Sequence, residues 1–196
     1  MDLYKQVIEW DEYKNPIAYD KIVPQDYDGM ILIGGHAAGM NTFLNSETMQ
    51  TKLSEFYNLK RPIAAICHGV LILSRTKNKD GKSLIHDRKV CALPMWLEIQ
   101  AYLITAGICG VPAKEYQLST TWPNYVQGEI QKEASEFVVG PYHVLAPLFP
   151  GTATNHFNAF AYEDFPEGKS PLVTARFWSD SYLWTNKFAA LLETTK

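Results

Sequence analysis

Cys67 sits in Ile66-Cys67-His68-Gly69, directly after one apolar run and directly before another, a setting that lets a thiol act as a nucleophile. A nucleophile works best at the tip of a sharp turn, exposed to substrate and aimed by rigid elements on either side. Small residues let the backbone make that turn, and Ala65 and Gly69 flank Cys67 where bulk would clash. The helix expected after the turn points its N-terminus towards the sulfur and favours the thiolate. The His68 backbone N–H, with N–H groups at Gly34, Gly35 or His36, is expected to form an oxyanion hole for a tetrahedral or enediolate-like species. Loss of one such donor costs about 2.7–4 kcal/mol of barrier stabilisation. The competing reading of Cys67 is a buried, inert side chain, since free cysteine is among the most buried residue types. The strand, cysteine, histidine, glycine, helix context favours the nucleophile. Cys91, within a predicted strand, and Cys109, beyond a predicted helix end, keep the inert reading.

His68 is either a general acid or base or a helix N-terminal residue packed beside the site, and the sequence weighs the two equally. His36 either faces the same pocket through the glycine loop, which is favoured, or caps the following helix. His156, in Thr154-Asn-His-Phe157, could reach the site, although a surface position is favoured for it. His86 and His143 give no signal. Neither an HExxH motif nor a cysteine–histidine metal spacing occurs, so no metal is expected. Trp96, Trp122, Trp178 and Trp184 read as core and pocket lining, not as a platform for stacking bases.

These residues need elements to hold them. Gly29-Met-Ile-Leu-Ile33 is a continuous apolar run stopped by Gly34-Gly35, as in a strand covered on both faces. A helix is predicted over 46–59, with Ser46 as N-cap and Met49, Leu53 and Phe56 on one face. Pro62-Ile-Ala-Ala-Ile66 is a second buried strand, and Val70-Leu-Ile-Leu73 begins a helix. Lys89-Val-Cys-Ala92 is a short strand, followed by a helix from Met95 to about Ala106 closed by Gly107. Val126, Ile130, Ala134 and Phe137 recur at helical spacing, which predicts an amphipathic helix over 124–137. Residues 160–163 and 172–175 are predicted to pair as a hairpin through Pro166-Glu-Gly-Lys169. A helix over 180–192 ends the pattern. Alternating strands and helices imply a layered α/β fold with a mostly parallel sheet, in which ligands sit at the carboxyl ends of the strands. Both Gly34-Gly35-His36 and Cys67-His68-Gly69 fall at such ends.

A chain of 196 residues, 46% hydrophobic and 20% charged, suits a single globular domain over 1–196. A formal charge of -3 and a pI near 5.9 supply no basic field for nucleic acid or an acidic membrane surface. Neither a signal-peptide core nor a run approaching the roughly 20 apolar residues of a membrane span is present. Three cysteines without CxxC spacing argue against a disulfide scaffold and for a reducing compartment, with the cytoplasm as the expected location.

Tyr27-Asp-Gly-Met-Ile-Leu-Ile-Gly-Gly-His-Ala-Ala-Gly-Met40, followed by Arg61-Pro-Ile-Ala-Ala-Ile-Cys-His-Gly69, resembles the ThiJ/PfpI family of the class I glutamine amidotransferase-like superfamily. The tail Leu172-Val-Thr-Ala-Arg176 leading into Ser179-Asp180 is similar to the family's C-terminal end. The resemblance runs from about residue 16 onward and implies a flavodoxin-like three-layer sandwich and a homodimer. It also implies cysteine-dependent activity of the glyoxalase III or deglycase type on small reactive carbonyls, without a cofactor. Carried over, Cys67 matches the nucleophile and His68 the histidine beside it. Gly34, Gly35 and the His68 amide match the oxyanion-binding backbone, and His36 and Gly69 complete the expected oxyanion- and substrate-binding set.

The family usually begins with a further strand and helix whose junction supplies an acid that hydrogen-bonds the cysteine. Here Met1–Lys21 is polar, aromatic-rich and broken by Pro16, so that strand and its glutamate are expected to be absent, leaving an exposed sheet edge. Either the chain is an N-terminally shortened form of the family, or another acid replaces the missing one; Glu98, where some relatives carry an acid able to orient the histidine, is the favoured substitute, ahead of Glu9 and Glu12. Two alternatives stand beside the carbonyl-acting enzyme. One is a cysteine hydrolase of esters or amides using Cys67, His156 and a carboxylate. The other is a non-catalytic redox sensor, chaperone or degenerate paralogue. Amidotransfer from glutamine is disfavoured, because His156-Phe-Asn158 carries an amide where that branch has an acid.

Overall fold

A computed structural model describes residues 2–37, 39–108, 124–141 and 159–194 of the chain. The apolar runs without polar alternation form the interior of one sheet. Strand β1 (Met30–Leu32) pairs in parallel with β2 (Ile63–Ile66), Met30 opposite Ile63 and Leu32 opposite Ala65. A second short parallel pair joins β3 (Lys89–Val90) to β4 (Glu136–Phe137). Strand β5 (Ala161–Asp164) and β6 (Leu172–Ala175) form the predicted antiparallel hairpin, and β6 lies parallel to β2 with Ile66 opposite Ala175. The main sheet therefore runs β1-β2-β6-β5, mostly parallel, and every residue of β2 and β6 is buried.

Residues 2–26 form two short helices, α1 (Asp2–Val7) and α2 (Asp11–Lys14), and two 3-10 turns, Tyr19–Lys21 and Pro24–Asp26. Among the described residues β1 is the first strand, and it lies at the edge of the sheet with Ile31 48% exposed. Helix α3 (Gly39–Leu44) follows β1, and α4 (Glu47–Asn58) starts as predicted at Ser46, whose Oγ accepts the Met49 N–H at 3.2 Å. Such a cap is worth about 1 kcal/mol. Leu53 and Phe56 of α4 are completely buried, each contributing roughly 1.5–3 kcal/mol of apolar burial. Helix α5 (Val70–Arg75) leaves the elbow after β2. Among the described residues no helix is long and apolar enough to cross a membrane.

Among the boundaries that differ from the sequence reading are two helix ends. Helix α6 (Met95–Ile108) runs through Gly107 rather than stopping there. Helix α7 (Tyr125–Glu133) stops four residues before Phe137, which lies in β4. The competing interaction is tertiary. The Ser135 N–H and Oγ both donate to the Arg88 carbonyl, and the Val138 N–H donates to that of Val90, drawing the segment out of the helix to pair with β3.

The two ends of the main sheet are fastened by buried arginines. At the amino end of β6, Arg88 donates to the Asp164 carboxylate, to the carbonyls of Asp164 (2.7 Å) and Ser170 (3.1 Å), and to the Tyr57 hydroxyl (3.2 Å). At the carboxyl end, Arg176 holds Asp180 through Nε (2.9 Å) and Nη2 (2.8 Å). Asp180 also accepts the backbone N–H groups of Arg176 and Phe160 at 3.0 and 2.9 Å. With its lone pairs satisfied, this pair fixes the turn from β6 into the last helix, α8 (Ser181–Thr194). Helix α8 then packs across β2 and β6 through Trp184 and Phe188.

Candidate active site

The elbow forms because two backbones meet with no side chain between them. Cβ atoms at Gly34 would lie 2.6 Å from the His68 nitrogen and 2.7 Å from the Ile66 carbonyl oxygen. One at Gly69 would lie 2.2 Å from the Leu32 carbonyl oxygen. Only glycine at both positions lets the end of β1 lie against the turn after β2. Within that turn Cys67 adopts φ +59, a left-handed conformation that costs a non-glycine residue roughly 1–2 kcal/mol. Extended Ile66 before it and the 3-10 turn Cys67–Gly69 after it hold the strain.

The strained backbone sets a line of ionisable groups. Cys67 Sγ lies 3.4 Å from His68 Nδ1, and His68 Nε2 faces Glu98 Oε1 at 3.5 Å. Glu98 is completely buried on α6, and its other oxygen accepts the Val126 N–H at 2.9 Å, at the first turn of α7. A carboxylate there is favoured by the helix dipole as well as by the hydrogen bond. Burial alone would lower the His68 pKa, but the Cys67 sulfur and the Glu98 carboxylate outweigh it and raise the value to about 9. The His36 ring meets the His68 ring edge-on, with centroids 4.5 Å apart. Burial, and then the charge on His68, lower the His36 pKa to about 4. One imidazole is therefore protonated at neutral pH and its neighbour is not.

Of these groups Cys67 and His36 border a cavity of ≈ 410 Å³ at the carboxyl ends of β1 and β2, walled by Gly34, Gly35, His36 and Cys67 on one side and by α8 on the other. Cys67 is 8% exposed, so access to its sulfur is through this space. Two other depressions, along α4 and around residues 78–87, are lined mainly by polar side chains and include no cysteine.

Of the residues singled out from the sequence, Cys67, His68, Glu98, Gly34, Gly35 and His36 come together. Gly69 does not line the cavity; it serves the close approach to β1. Glu9 is paired with Lys14 on the surface, Glu12 is exposed, and His86 faces Asp87 at 3.3 Å. His143, His156, Asn158, Trp122 and Cys109 lie outside the described residues. Trp178 and Trp184 line the cavity as expected, while Trp96 packs against the core. Ser181 and Thr185 were not anticipated. With Trp178 and Trp184 they recur every three or four residues, a helical stripe that the sequence displays but that only the packing of α8 assigns to the cavity.

A family model described as ThiJ/PfpI family-like matches residues 1–141. The chain is 30% identical over 153 residues to the putative glutathione-independent glyoxalase hsp3105 of Schizosaccharomyces pombe, covering 76% of this chain and 58% of that protein. It is 33% identical over 86 residues to the glutathione-independent glyoxalase hsp3101 of the same yeast, covering 42% and 35%. The chain thus spans about a third to somewhat over half of these relatives. Among solved structures, Rapid Encystment Protein 24 kDa of Francisella tularensis superposes with a TM-score of 0.65 at 18% identity, over 96% of this chain and 70% of that one. Glyoxalase III of Candida albicans superposes with a TM-score of 0.59 at 16% identity, over 97% and 69%. Both are likenesses of fold.

Proposed function

The chain belongs to the ThiJ/PfpI-like family, and from that premise we propose that it converts 2-oxoaldehydes such as methylglyoxal to 2-hydroxy acids without glutathione or a cofactor. The yeast relatives named as glutathione-independent glyoxalases support this reading. The observation that carries it is the line Cys67–His68–Glu98, set at a strained elbow and opening on a cavity.

In the proposed mechanism the Cys67 thiolate adds to the aldehyde carbon, and the resulting alkoxide takes a proton from the His68 imidazolium, giving a neutral hemithioacetal. Glu98 keeps His68 charged and oriented. His36 then removes the proton from the former aldehyde carbon, forming an enediolate, and returns it to the neighbouring carbon. A neutral imidazole with a pKa of about 4 is as strong a base as an ordinary carboxylate, and His36 lines the cavity beside Cys67. Backbone N–H groups at Gly34, Gly35 and His68 hold the oxyanion. As the hemithioacetal hydroxyl proton passes to the neighbouring oxygen, the aldehyde carbon ends oxidised to a thioester and the ketone carbon reduced to an alcohol, so no external electron acceptor is required. Water then cleaves the thioester, releasing lactate and regenerating the thiol.

The test is lactate formation from methylglyoxal in the absence of glutathione. Lactate is expected from the wild type and none above background from Cys67→Ala. Equal production by both proteins, or none from folded wild type, refutes the proposal.

A further inference from the structure

The wall of the cavity opposite Cys67 bears on which oxoaldehyde fits, and the inference drawn from it rests on the glyoxalase reading above. Trp184 is 3% exposed, and its indole N–H donates to the Val173 carbonyl at 3.1 Å, so the ring is fixed with its one polar group turned into the sheet. Trp178 stands at the rim, 47% exposed, braced edge-on against Phe177 with ring centroids 5.4 Å apart. Ile33 and Ile66 complete an apolar surface around the sulfur. The two hydroxyl residues on this wall spend their protons on their own helix. Ser181 Oγ donates to the Trp178 carbonyl at 2.7 Å, and Thr185 Oγ1 to that of Ser181 at 2.9 Å.

Methylglyoxal has only three carbons, and its single methyl group would cover little of this surface in a space of ≈ 410 Å³. Polyhydroxylated oxoaldehydes, such as those formed from sugars, would lose water from hydroxyls for which the α8 wall offers no hydroxyl proton. We propose that the cavity selects 2-oxoaldehydes whose ketone carbon bears a flat or bulky apolar group, aryl above all, packed between Trp178 and Trp184 while Cys67 attacks the aldehyde. Apolar pockets distinguish even one methylene by at least about tenfold, so a phenyl group replacing methyl should be favoured by that factor or more.

The experiment has two arms, one of which needs no turnover. In the first, kcat/KM is measured for phenylglyoxal, giving mandelate, and methylglyoxal, giving lactate, for wild type and Trp178→Ala. The wild type is expected to prefer phenylglyoxal by about tenfold or more, and the variant to lose most of that ratio. In the second, Cys67 is alkylated with phenacyl bromide or bromoacetone, the thiolate forming a C–S bond as bromide leaves. Rates are read at the Cys67 peptide and normalised to those of a free thiol. The same preference is expected, again reduced by Trp178→Ala. Turnover of both oxoaldehydes with methylglyoxal preferred, or a ratio unmoved by Trp178→Ala, overturns the inference and leaves the glyoxalase reading intact. Absence of any turnover, with the alkylation preference present, overturns the glyoxalase reading and supports the apolar selectivity of the cavity.

Discussion

Cys67 and Cys91 each follow a strand that enters the core, and both are buried, yet their surroundings differ. Cys91 is completely enclosed. Its Sγ donates to the Thr174 carbonyl at 3.0 Å, its backbone N–H donates to Thr174 Oγ1 at 3.0 Å, and burial pushes the thiol up to about 12. Cys67 is only slightly more exposed, at 8%. What separates it is a φ of +59 that turns the side chain out of the strand direction, a histidine at 3.4 Å that retains a proton, and a cavity in front of the sulfur. Burial therefore hardly distinguishes the two cysteines. Turn geometry and the charge beside the sulfur do.

The largest expected effect separates the two cysteines directly. Cys67→Ala should lower kcat/KM for an oxoaldehyde by about 10³-fold or more, as loss of a nucleophile does. Cys91→Ala should leave kcat/KM nearly unchanged and cost about 1 kcal/mol in denaturant unfolding, from a lost hydrogen bond and a small cavity. Next is Gly34→Ala. The added methyl would collide with the elbow backbone at 2.6–2.7 Å, and displacing an oxyanion donor should cost kcat about 10²-fold, visible in steady-state rates with the fold intact by circular dichroism. Glu98→Gln keeps an acceptor for the Val126 N–H but removes the charge that favours the His68 imidazolium. The expected result is a loss of about tenfold in kcat at neutral pH, below the usual range for removing an acid–base group outright, because His68 itself remains.

The smallest effect is one of shape. A proton must be absent from His36 and present on His68. Activity should therefore fall as pH drops through about 4, where His36 gains its proton, and as pH rises through about 9, where His68 loses its own. Glu98→Gln should move the upper limit to lower pH while leaving the lower one near its place. A single limb close to pH 6.5 would mean that neither histidine feels the surroundings described here.

Much of the frame was legible in the sequence because it rests on local rules. The apolar runs before Gly34 and Cys67 are strands, Ser46 caps α4, and residues 161–164 and 172–175 form the hairpin. Glu98 was favoured as the acid on the basis of the family resemblance, and it does face His68. What escaped was tertiary. Phe137 has helical spacing with Ile130 but is drawn away to pair with Val90, a competition that no local window contains. Gly69 looked like part of a binding loop, whereas its role is set by the Leu32 carbonyl 2.2 Å from where a Cβ would stand. The edge-on contact of His36 with His68 joins residues that are adjacent in space only because β1 and β2 lie side by side.

The most direct test of the contrast between the cysteines is the rate of iodoacetamide alkylation at pH 7, read separately at the Cys67 and Cys91 peptides of the native protein. The account predicts that Cys67 reacts at least about 100-fold faster, because the thiolate is the reacting species, burial holds the Cys91 thiol protonated, and only Cys67 opens on the cavity. Equal rates, or faster labelling of Cys91, would contradict it.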